Sequence, residues 1–342
     1  MRLCIFALRF LTALLVAADF ADAQTAAEFY HDKQIKFAVA SSPGGGFDTY
    51  TRLIAQHLPK HLPGSPAAVV QNMPGAGGVR AANFLYSLAP KDGTAIALFQ
   101  NTVPLEPLYG NKQALFDATK FEWLGSPSRE FAVFAIWHTA PVNKIEDARN
   151  HELVVGAPGS NSSPAFYGRL FESIFGIKVK ILAGYQGAAE VLLGTERGEN
   201  DGNSSAYWSS LNSIRPTWIA EKKLKFLLQY GPHPIPGLDD VPYALDLIAD
   251  PFKREMMEVG SAPLGLGRPI AAPPGVPRNR VEALRKGLVE TFDDPDYRSE
   301  CAKLRLNCDE PVAGEIIADG LARGYAASPE VIRELRRIYN AQ

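Results

Sequence analysis

The sequence predicts an α/β protein built as two lobes with a cleft between them. Short β-rich runs alternate with helical patterns along most of the chain, which is typical of βαβ units and a largely parallel sheet. Gly- and Pro-rich stretches occur at Gly125-Ser126-Pro127 and again within Gly260–Gly275. If the chain crosses between lobes at these two places, residues 24–125 and 262–342 form a discontinuous first lobe and residues 126–261 an inserted second lobe.

The predicted strands are mostly continuous apolar runs, as expected for strands that are covered on both faces. They are Ile35–Ala40, Ala68–Gln71, Thr94–Gln100, Val133–Trp137, Leu153–Ala157, Lys178–Leu182 and Lys225–Gln229. The predicted helices are Thr49–Leu58, Pro164–Phe175, Arg280–Thr291, Ala313–Ala326 and Pro329–Tyr339. Asp48 precedes the first helix as a suitable N-cap residue, and Gly176 follows the second as a typical stop.

The first residues of the chain predict export. Arg2 supplies a positive start, an apolar run extends from Leu3 to Ala18, and Ala21-Asp22-Ala23 forms an A-x-A cleavage pattern before Gln24. These features are typical of a secretory signal peptide, here residues 1–23. The alternative, a membrane anchor, fits less well because the run is short for a span and Arg9 interrupts it. We therefore expect a periplasmic protein, cleaved near Ala23-Gln24.

The charge content narrows the possible partners. The chain has 35 basic and 37 acidic residues without a basic block, which argues against nucleic acid or an anionic membrane surface as a partner.

Only Cys301 and Cys308 remain after cleavage, and an even number in an exported protein suggests a disulfide. A single continuous helix would hold them about 10 Å apart, so a bridge needs a turn between them. Two reduced, separately buried cysteines are the alternative.

Three loops rich in Gly, Ser and Asn follow predicted strands. They are Ser41-Ser42-Pro43-Gly44-Gly45-Gly46-Phe47-Asp48, Gln71-Asn72-Met73-Pro74-Gly75-Ala76-Gly77-Gly78 and Gly159-Ser160-Asn161-Ser162-Ser163. Glycine lets the backbone approach a ligand closely and direct N–H groups at an anion, and a helix N-terminus behind it adds a positive dipole. Any one loop is explained by a tight turn. Three at the same end of an α/β fold favour a binding site, because ligands gather at the carboxyl ends of the strands.

The sequence contains none of the common catalytic signatures. Arg80 occupies the third glycine position of a dinucleotide fingerprint that begins at Gly75, and no Lys-Ser or Lys-Thr follows the first glycine-rich loop. No G-x-S-x-G elbow is present. His57 and His61 have helical i, i+4 spacing, but Pro59 lies between them and Lys60 stands where a metalloprotease has glutamate. We therefore expect no enzyme, no cofactor and no metal.

The loops resemble a known family. The stretch Ser42-Pro43-Gly44-Gly45-Gly46-Phe47-Asp48 followed by Arg52, and the stretch Asn72–Gly78, resemble the signatures of the Bug-type extracytoplasmic receptors of tripartite tricarboxylate transporters. Weaker similarities follow in order along the mature chain. They are Pro90-Lys91-Asp92-Gly93-Thr94, Gly159–Ser163, Tyr185-Gln186-Gly187 and Pro273-Pro274-Gly275-Val276-Pro277.

The resemblance implies a fold and a site. The fold is similar to the type II periplasmic binding proteins, with two α/β lobes joined by a two-strand hinge around a ligand cleft. A monomer would hold a small carboxylate through backbone N–H groups and ordered water from both lobes, and Asp48 would also fix its own loop. The implied ligand-binding residues are Gly45, Gly46, Phe47, Asp48, Asn72, Gly75, Ala76, Gly77, Gln100, Asn101, Thr102, Ser160, Asn161, Ser162, Ser163, Tyr185, Gln186 and Gly187.

Three departures from the family pattern leave the ligand open. Phe47 stands where many members have a small polar residue, and it would either stack on an aromatic ligand or pack into the lobe core. Gly184-Tyr185 replaces the more usual Pro-Tyr, and Glu196–Gly202 is more charged than the family's turn.

The resemblance implies a receptor that closes on a carboxylate and delivers it to the membrane subunits of a tripartite tricarboxylate-type transporter. One alternative keeps the fold but docks the loaded protein on a membrane signalling protein. The other is an exported hydrolase or lyase, for which the sequence offers no nucleophile or base.

Overall fold

Two β-sheets form the framework of the chain. The structure, a computed structural model, describes residues 25–41, 43–44, 46–160 and 162–341, so the predicted signal peptide and its cleavage site lie outside the described residues. The strands are β1 (Gln34–Val39), β2 (Ala67–Asn72), β3 (Ala95–Leu98), β4 (Glu122–Ser126), β5 (Ala132–Trp137), β6 (Leu153–Ala157), β7 (Val179–Ala183), β8 (Gly202–Tyr207), β9 (Leu224–Tyr230), β10 (Ile270–Ala272) and β11 (Val312–Ala313). The first sheet has the order β11-β4-β10-β3-β1-β2, and the second has the order β7-β6-β8-β5-β9.

Helices connect the strands and complete the C-terminal part. They are α1 (Ala26–Tyr30), α2 (Gly46–His57), α3 (Val79–Ser87), α4 (Ser163–Phe175), α5 (Ala188–Glu196), α6 (Trp208–Ile214), α7 (Pro251–Leu266), α8 (Arg278–Asp293), α9 (Pro295–Lys303), α10 (Gly314–Tyr325) and α11 (Pro329–Asn340). Short 3₁₀ turns lie at Leu58–His61, Ala76–Gly78, Val103–Leu105, Ala118–Lys120, Ile145–Arg149 and Ala244–Leu247. No described helix combines the length and the apolar character needed to cross a bilayer.

Both sheets are mixed, so the expectation of a largely parallel sheet was wrong. β1 pairs in parallel with β2 and β3, and β6 pairs in parallel with β7 and β8. β5 runs antiparallel to both of its neighbours, and so does β10. These two are the first strands that the chain forms after each passage between the sheets. Two parallel neighbours in one sheet are joined by a crossover, usually a helix, that returns the chain to the same end of that sheet. The chain reaches β5 and β10 from the other sheet instead, so this requirement does not apply to them.

The chain passes between the sheets twice, and the two connecting segments lie side by side. The first runs from β4 to β5 and the second from α7 to β10. The Arg268 backbone N–H donates to Ser126 Oγ at 2.8 Å, and its guanidinium reaches Ser128 Oγ at 3.0 Å. Arg268 Nη2 lies 3.0 Å from Glu130 Oε2, and both side chains are almost fully buried. An ion pair withdrawn from water strongly opposes separation of its partners, so it ties the two segments together.

The helices of the C-terminal part join the two sheets into one core. α7 packs against α10 and α11, and α11 also packs against α4 of the second sheet. A single apolar cluster includes Phe99 at the end of β3, Phe134 on β5, Phe171 on α4 and Tyr339 on α11. The predicted lobe boundary at residue 262 falls inside α7, which is continuous through Leu266. The division into lobes stays a prediction, and we place the return to the first lobe after this helix.

The two cysteines of the described residues, Cys301 and Cys308, are bonded to each other. Cys301 lies on α9 and Cys308 lies beyond its end, with Cα atoms 6.3 Å apart and the sulfurs joined. Arg305, with φ of 55°, provides the turn that the pairing requires. The loop so closed also contacts α2, because Tyr50 Oη donates to the Asn307 carbonyl at 2.7 Å. The disulfide therefore stabilises a loop that contacts α2 through Tyr50.

Removing this disulfide should destabilise the protein modestly. Chain-entropy reasoning for so short a loop gives about 2.5 kcal/mol, so the Cys301→Ser/Cys308→Ser variant should unfold at lower urea concentration than wild type. A reductant should lower the midpoint of wild type and leave that of the double variant unchanged. Titration of two free thiols in the native exported protein would contradict the assignment.

Candidate ligand-binding cleft

The carboxyl ends of the parallel strands face one another across a cleft. Loops that follow β1, β2 and β3 enter it from the first sheet, and those that follow β6 and β7, with the end of β8, enter it from the second. The chain reverses direction at these ends before starting α2, α3, α4 and α5. Backbone N–H groups of helix N-termini are therefore collected at one place, as the loop composition predicts.

Two adjoining cavities fill the cleft. The small cavity has a volume of about 250 Å³ and the large cavity about 1070 Å³. We call the residues that line both of them the neck. The neck residues are Phe47, Gln100, Thr102, Pro158, Ser162 and Ser163. A ligand held at the neck would thus contact loops from both sheets and could extend into either cavity.

A clamp between two loops of the first sheet holds the rim of the cleft. Asp48 lies in the first turn of α2, so the prediction that it is the N-cap was wrong, because the helix begins at Gly46. Its carboxylate accepts from the Gly44 N–H at 2.8 Å, from Arg52 Nε at 2.9 Å and from Asn72 Nδ2 at 2.8 Å. Arg52 also donates to Asn72 Oδ1 at 3.0 Å. The clamp fixes the loop after β1 against the end of β2.

The clamp lowers the pKa of the Asp48 carboxyl group. Burial alone would raise the pKa of Asp48, but the hydrogen bonds from Arg52, Gly44 and Asn72 outweigh it and hold the pKa at about 2. The carboxylate is therefore ionised at neutral pH and fully used within the protein. It belongs to the support of the cleft, since it does not line either cavity.

Glycine is required where the second loop meets the neck. Gly77 and Gly78 have φ of 62° and 102°, which side chains rarely adopt. A Cβ on Gly78 would lie 2.2 Å from Gln100 Oε1. Gln100 in turn donates from Nε2 to the Ala40 carbonyl at 2.7 Å. The neck is thus built by close packing of the loops after β1, β2 and β3.

The N-terminus of α4 reaches the neck without a side-chain cap. Ser162 occupies the N-cap position, but its hydroxyl donates to the Gly159 carbonyl at 2.6 Å and does not bond to the helix. Arg169 Nη1 donates to the Ser160 carbonyl at 2.8 Å, so its charge lies behind the loop. The first N–H groups of a helix have no partner within the helix. In α4 these are the N–H groups of Ser163 and Ala165, because Pro164 has none and the Phe166 N–H donates to the Ser162 carbonyl. They give the helix start beside the neck a partial positive charge.

A hydrogen-bonded chain crosses the neck. Tyr207 Oη, at the end of β8, donates to Asn101 Oδ1 at 3.3 Å and lies 3.4 Å from Ser163 Oγ. Asn101 belongs to the loop after β3, so the chain joins the two sides of the cleft. Burial raises the pKa of Tyr207, which keeps the phenol protonated as a donor. Sequence reasoning identified Asn101 and Ser163 but missed Tyr207.

Phe47 lies between the apolar core of the first sheet and the cleft, and its stacking on a ligand stays a prediction. Its ring packs against the apolar cluster of the first sheet and also lines both cavities. The Arg268 guanidinium lies 5.8 Å from the ring centroid and 4.1 Å from that of Tyr50. The cleft is therefore adjacent to the ion pair between the connecting segments, with an aromatic ring in between.

Most residues implied by the resemblance line one of the two cavities. Those that do are Phe47, Ala76, Gly77, Gln100, Asn101, Thr102, Ser160, Ser162, Ser163, Gln186 and Gly187. Gly46 and Asp48 on α2, Asn72 at the end of β2 and Gly75 in the loop after it do not lie on the cavity walls. Gly45 and Asn161 lie outside the described residues. The ligand contacts of all these residues stay a prediction.

Tyr185 needs a correction, because its side chain points away from the cavities. Its hydroxyl accepts from Asn200 Nδ2 at 3.0 Å and lies 3.3 Å from Glu199 Oε2. It covers Gly194 on α5, where a Cβ would lie 2.7 Å from the hydroxyl. Gly184, with φ of 121°, turns the chain so that Gln186 and Gly187 face the cleft instead.

Comparisons with known proteins agree with this geometry. No protein-family profile matches the chain. A curated relative, "UPF0065 protein in gbd 5′region" of Cupriavidus necator, is 24% identical over 296 residues, covering 83% of this chain and 82% of the relative. A TctC solute-binding protein from Polaromonas superposes with a TM-score of 0.70 at 21% identity, covering 91% of this chain and 99% of that chain. The chain has the TctC fold.

Two further structures share this fold. The periplasmic binding protein BugD gives a TM-score of 0.62 at 19% identity, covering 90% of this chain and 98% of that chain. MatC from Rhodopseudomonas palustris with bound malate gives 0.63 at 19% identity, covering 90% and 99%. The resemblance to Bug-type receptors is thereby confirmed in fold, and so is the two-lobe α/β class.

The walls of the cleft in this TctC fold are almost free of formal charge. No lysine or arginine lines either cavity among the described residues, and the large cavity contains a single carboxyl group, that of Glu106. Burial raises the pKa of Glu106, although donors from Asn111 and Tyr339 at 2.9 Å act in the opposite direction. No group of three or more His, Cys, Asp or Glu could hold a metal in the part of the chain that is described.

The clamp makes a prediction about pH. Because the pKa of Asp48 falls from its ordinary 3.8 to about 2 on folding, ionised Asp48 stabilises the native state above about pH 4, and this contribution is lost as pH falls toward 2. Asp48→Asn should therefore cost about 1–2 kcal/mol at pH 7, allowing for screening of half-exposed Arg52. The cost should shrink toward pH 2 in urea unfolding. A difference between variant and wild type that stays constant with pH would contradict the clamp.

Proposed function

We propose that the protein is a periplasmic solute-binding protein that captures a small carboxylate in the cleft and delivers it to a tripartite tricarboxylate-type transporter. The observation that carries the proposal is the neck, where uncharged donors from both sheets surround a cavity of ligand size. The TctC fold supports it, since MatC shares that fold and is described with bound malate. The predicted signal peptide and the disulfide fit an exported protein.

In the proposed complex the carboxylate lies at the neck. The first N–H groups of α4, the hydroxyls of Thr102 and Ser163 and the amide of Asn101 would supply hydrogen bonds. Such donors are fixed by the fold, and hydrogen bonds to an ionised acceptor are stronger than those between neutral groups. Ordered water would complete the shell. Because the donors belong to both sheets, a bound anion would favour the conformation in which the two sides are close.

We propose no catalytic step in the cleft. Among the described lining residues the hydroxyls are not paired with a histidine, and Glu106 is held by Asn111 and Tyr339. General acid–base or nucleophilic catalysis needs an activated group within reach of a substrate. A ligand recovered unchanged after incubation would agree with this reading, whereas a product would support the hydrolase or lyase alternative.

The first test is a thermal-shift scan of the mature protein against small organic acids. A ligand that binds only the native state stabilises it by about 2.7 kcal/mol at a hundredfold excess over Kd, so a true ligand raises the melting temperature clearly. The proposal expects a shift with at least one acid, reduced when the acid is presented as its amide. No shift with any acid would contradict it.

A larger side chain at Gly159, beside the neck, should weaken binding without unfolding the protein. Gly159 lines the large cavity beside the neck, has an ordinary φ, and offers open space to a Cβ. Gly159→Val should therefore fold with a wild-type urea midpoint but lose binding by at least about tenfold, because the added methyl groups crowd the loop that presents Ser162 and Ser163 to the carboxylate at the neck.

Gly324→Val is the matched control for this variant. Gly324 lies on α10, away from the neck, and it also offers open space to a Cβ. The control should bind as wild type does in isothermal titration. Unchanged affinity in Gly159→Val would place the carboxylate away from the neck.

A further inference from the structure

The small cavity has an apolar wall on the side of the second sheet. Ala188 and Leu192 come from α5, Ala206 from β8, and Leu211 and Ile214 from α6. Together with the ring of Phe47 on the opposite side, they enclose the space behind the neck. Burying apolar ligand surface here is favourable, because it removes that surface from water. The wall therefore favours a ligand part made of carbon.

The polar groups of the small cavity are uncharged. They are amides and hydroxyls, which include Asn203 and Ser205 on β8 in addition to the donors of the neck. Ser205 Oγ is buried near the Tyr230 hydroxyl and makes no hydrogen bond of good geometry among the described residues. It can pair with a hydroxyl or carbonyl on a ligand. One hydroxyl cannot compensate a full negative charge, because an ion buried without enough partners is strongly destabilised.

The nearest charges are unavailable to a second carboxylate. The Arg268 guanidinium beside Phe47 is bonded to Glu130 and Ser128 and lies against the ring of Tyr50. On the large cavity the charged group is Glu106, whose carboxyl would repel an anion when ionised. One carboxylate can be held by the clustered donors of the neck, whereas a second would meet scattered neutral groups and the apolar wall in the small cavity, or the vicinity of another acid in the large one.

We propose that the ligand is a monocarboxylate with an uncharged, largely apolar body. Its carboxylate lies at the neck and its body occupies the small cavity between Phe47 and the wall of Leu192, Leu211 and Ile214. The cavity of about 250 Å³ is below the usual range of about 300–1000 Å³ for drug-sized ligands, so the body is small, such as a short alkyl chain or one aromatic ring. This inference rests on the proposed function and narrows its ligand class.

Matched pairs of acids test the proposal. Hexanoate is compared with adipate, benzoate with terephthalate, and phenylacetate with 1,4-phenylenediacetate, each by isothermal titration of the mature protein. Within a pair the carbon frame is similar and the second carboxylate is the main change. We expect the monocarboxylate to bind at least about tenfold more tightly in each pair that binds, because the second charge finds no partner.

The variant Ile214→Lys adds the missing cation to the small cavity. Ile214 is partly buried, so the lysine stem can follow the wall while its ammonium reaches the ligand. The variant should bind dicarboxylates more tightly relative to monocarboxylates than wild type does, by about tenfold or more. Ile214→Leu keeps the wall apolar and should retain the wild-type preference.

Each outcome separates this inference from the proposed function. Tighter binding of monocarboxylates, with the preference shifted in Ile214→Lys alone, supports the inference. Equal or tighter binding of the dicarboxylates by wild type overturns the inference and leaves a carboxylate receptor. An unshifted preference in Ile214→Lys places the ligand body outside the small cavity and overturns it as well. If no acid binds, either among the matched pairs or in the thermal-shift scan, the proposed function is overturned together with the inference.

Discussion

The ion pair between Glu130 and Arg268 lies where the two connecting segments run side by side, and the relative position of the two sheets depends on it. Glu130 also accepts from Ser209 Oγ at 2.7 Å, and the Glu130 backbone donates to the Leu264 carbonyl at 2.8 Å. Separating two buried opposite charges leaves each without compensation, which is among the costliest changes a protein can undergo. The segments therefore stay together, and any opening of the cleft must occur around them.

From this constraint the position of the cleft follows. With the segments fixed, the carboxyl ends of the parallel strands of one sheet face those of the other. Short loops after these strands are therefore enough to form both sides of the cleft. The Asp48 clamp holds one rim, and Arg169 holds the other by bonding to the Ser160 carbonyl. Both arrangements use charged groups to fix loop backbone. The walls are left with dipoles and apolar surface, which in the proposed function bind one anionic group and release it without breaking a strong ion pair.

The sequence predicted the parts of the fold in which local pattern and burial agree. All seven predicted strands are present within two residues of their predicted ends, as are the helices Ser163–Phe175 and Pro329–Asn340, where a proline near the start and a clear apolar stripe coincide. β8 was missed because its residues Gly202–Tyr207 are largely polar although buried, so hydropathy gave no signal. β10 and β11 are too short to show a period, and pairing with β4 is what makes them strands.

The candidate site was predictable in its loops and not in its walls. Glycine and serine runs mark the loops that form the cleft, and Phe47, Ala76, Gly77 and Ser162 all lie on the cavities. The small-cavity wall of Leu192, Leu211 and Ile214 could not be identified, because an apolar side chain on a helix has the same pattern whether it faces a core or a cavity. Tyr185 was misplaced because its neighbours face the cleft while Asn200 draws its hydroxyl away.

The most direct test of the central claim is a crystal structure of the mature protein with the acid that stabilises it most. The account predicts a carboxylate within hydrogen-bond distance of the first N–H groups of α4 and of Thr102 or Asn101, with the side chain of Asp48 still bound to Arg52 and Asn72. A carboxylate bound outside the neck, or one held by a lysine or arginine side chain, would contradict it.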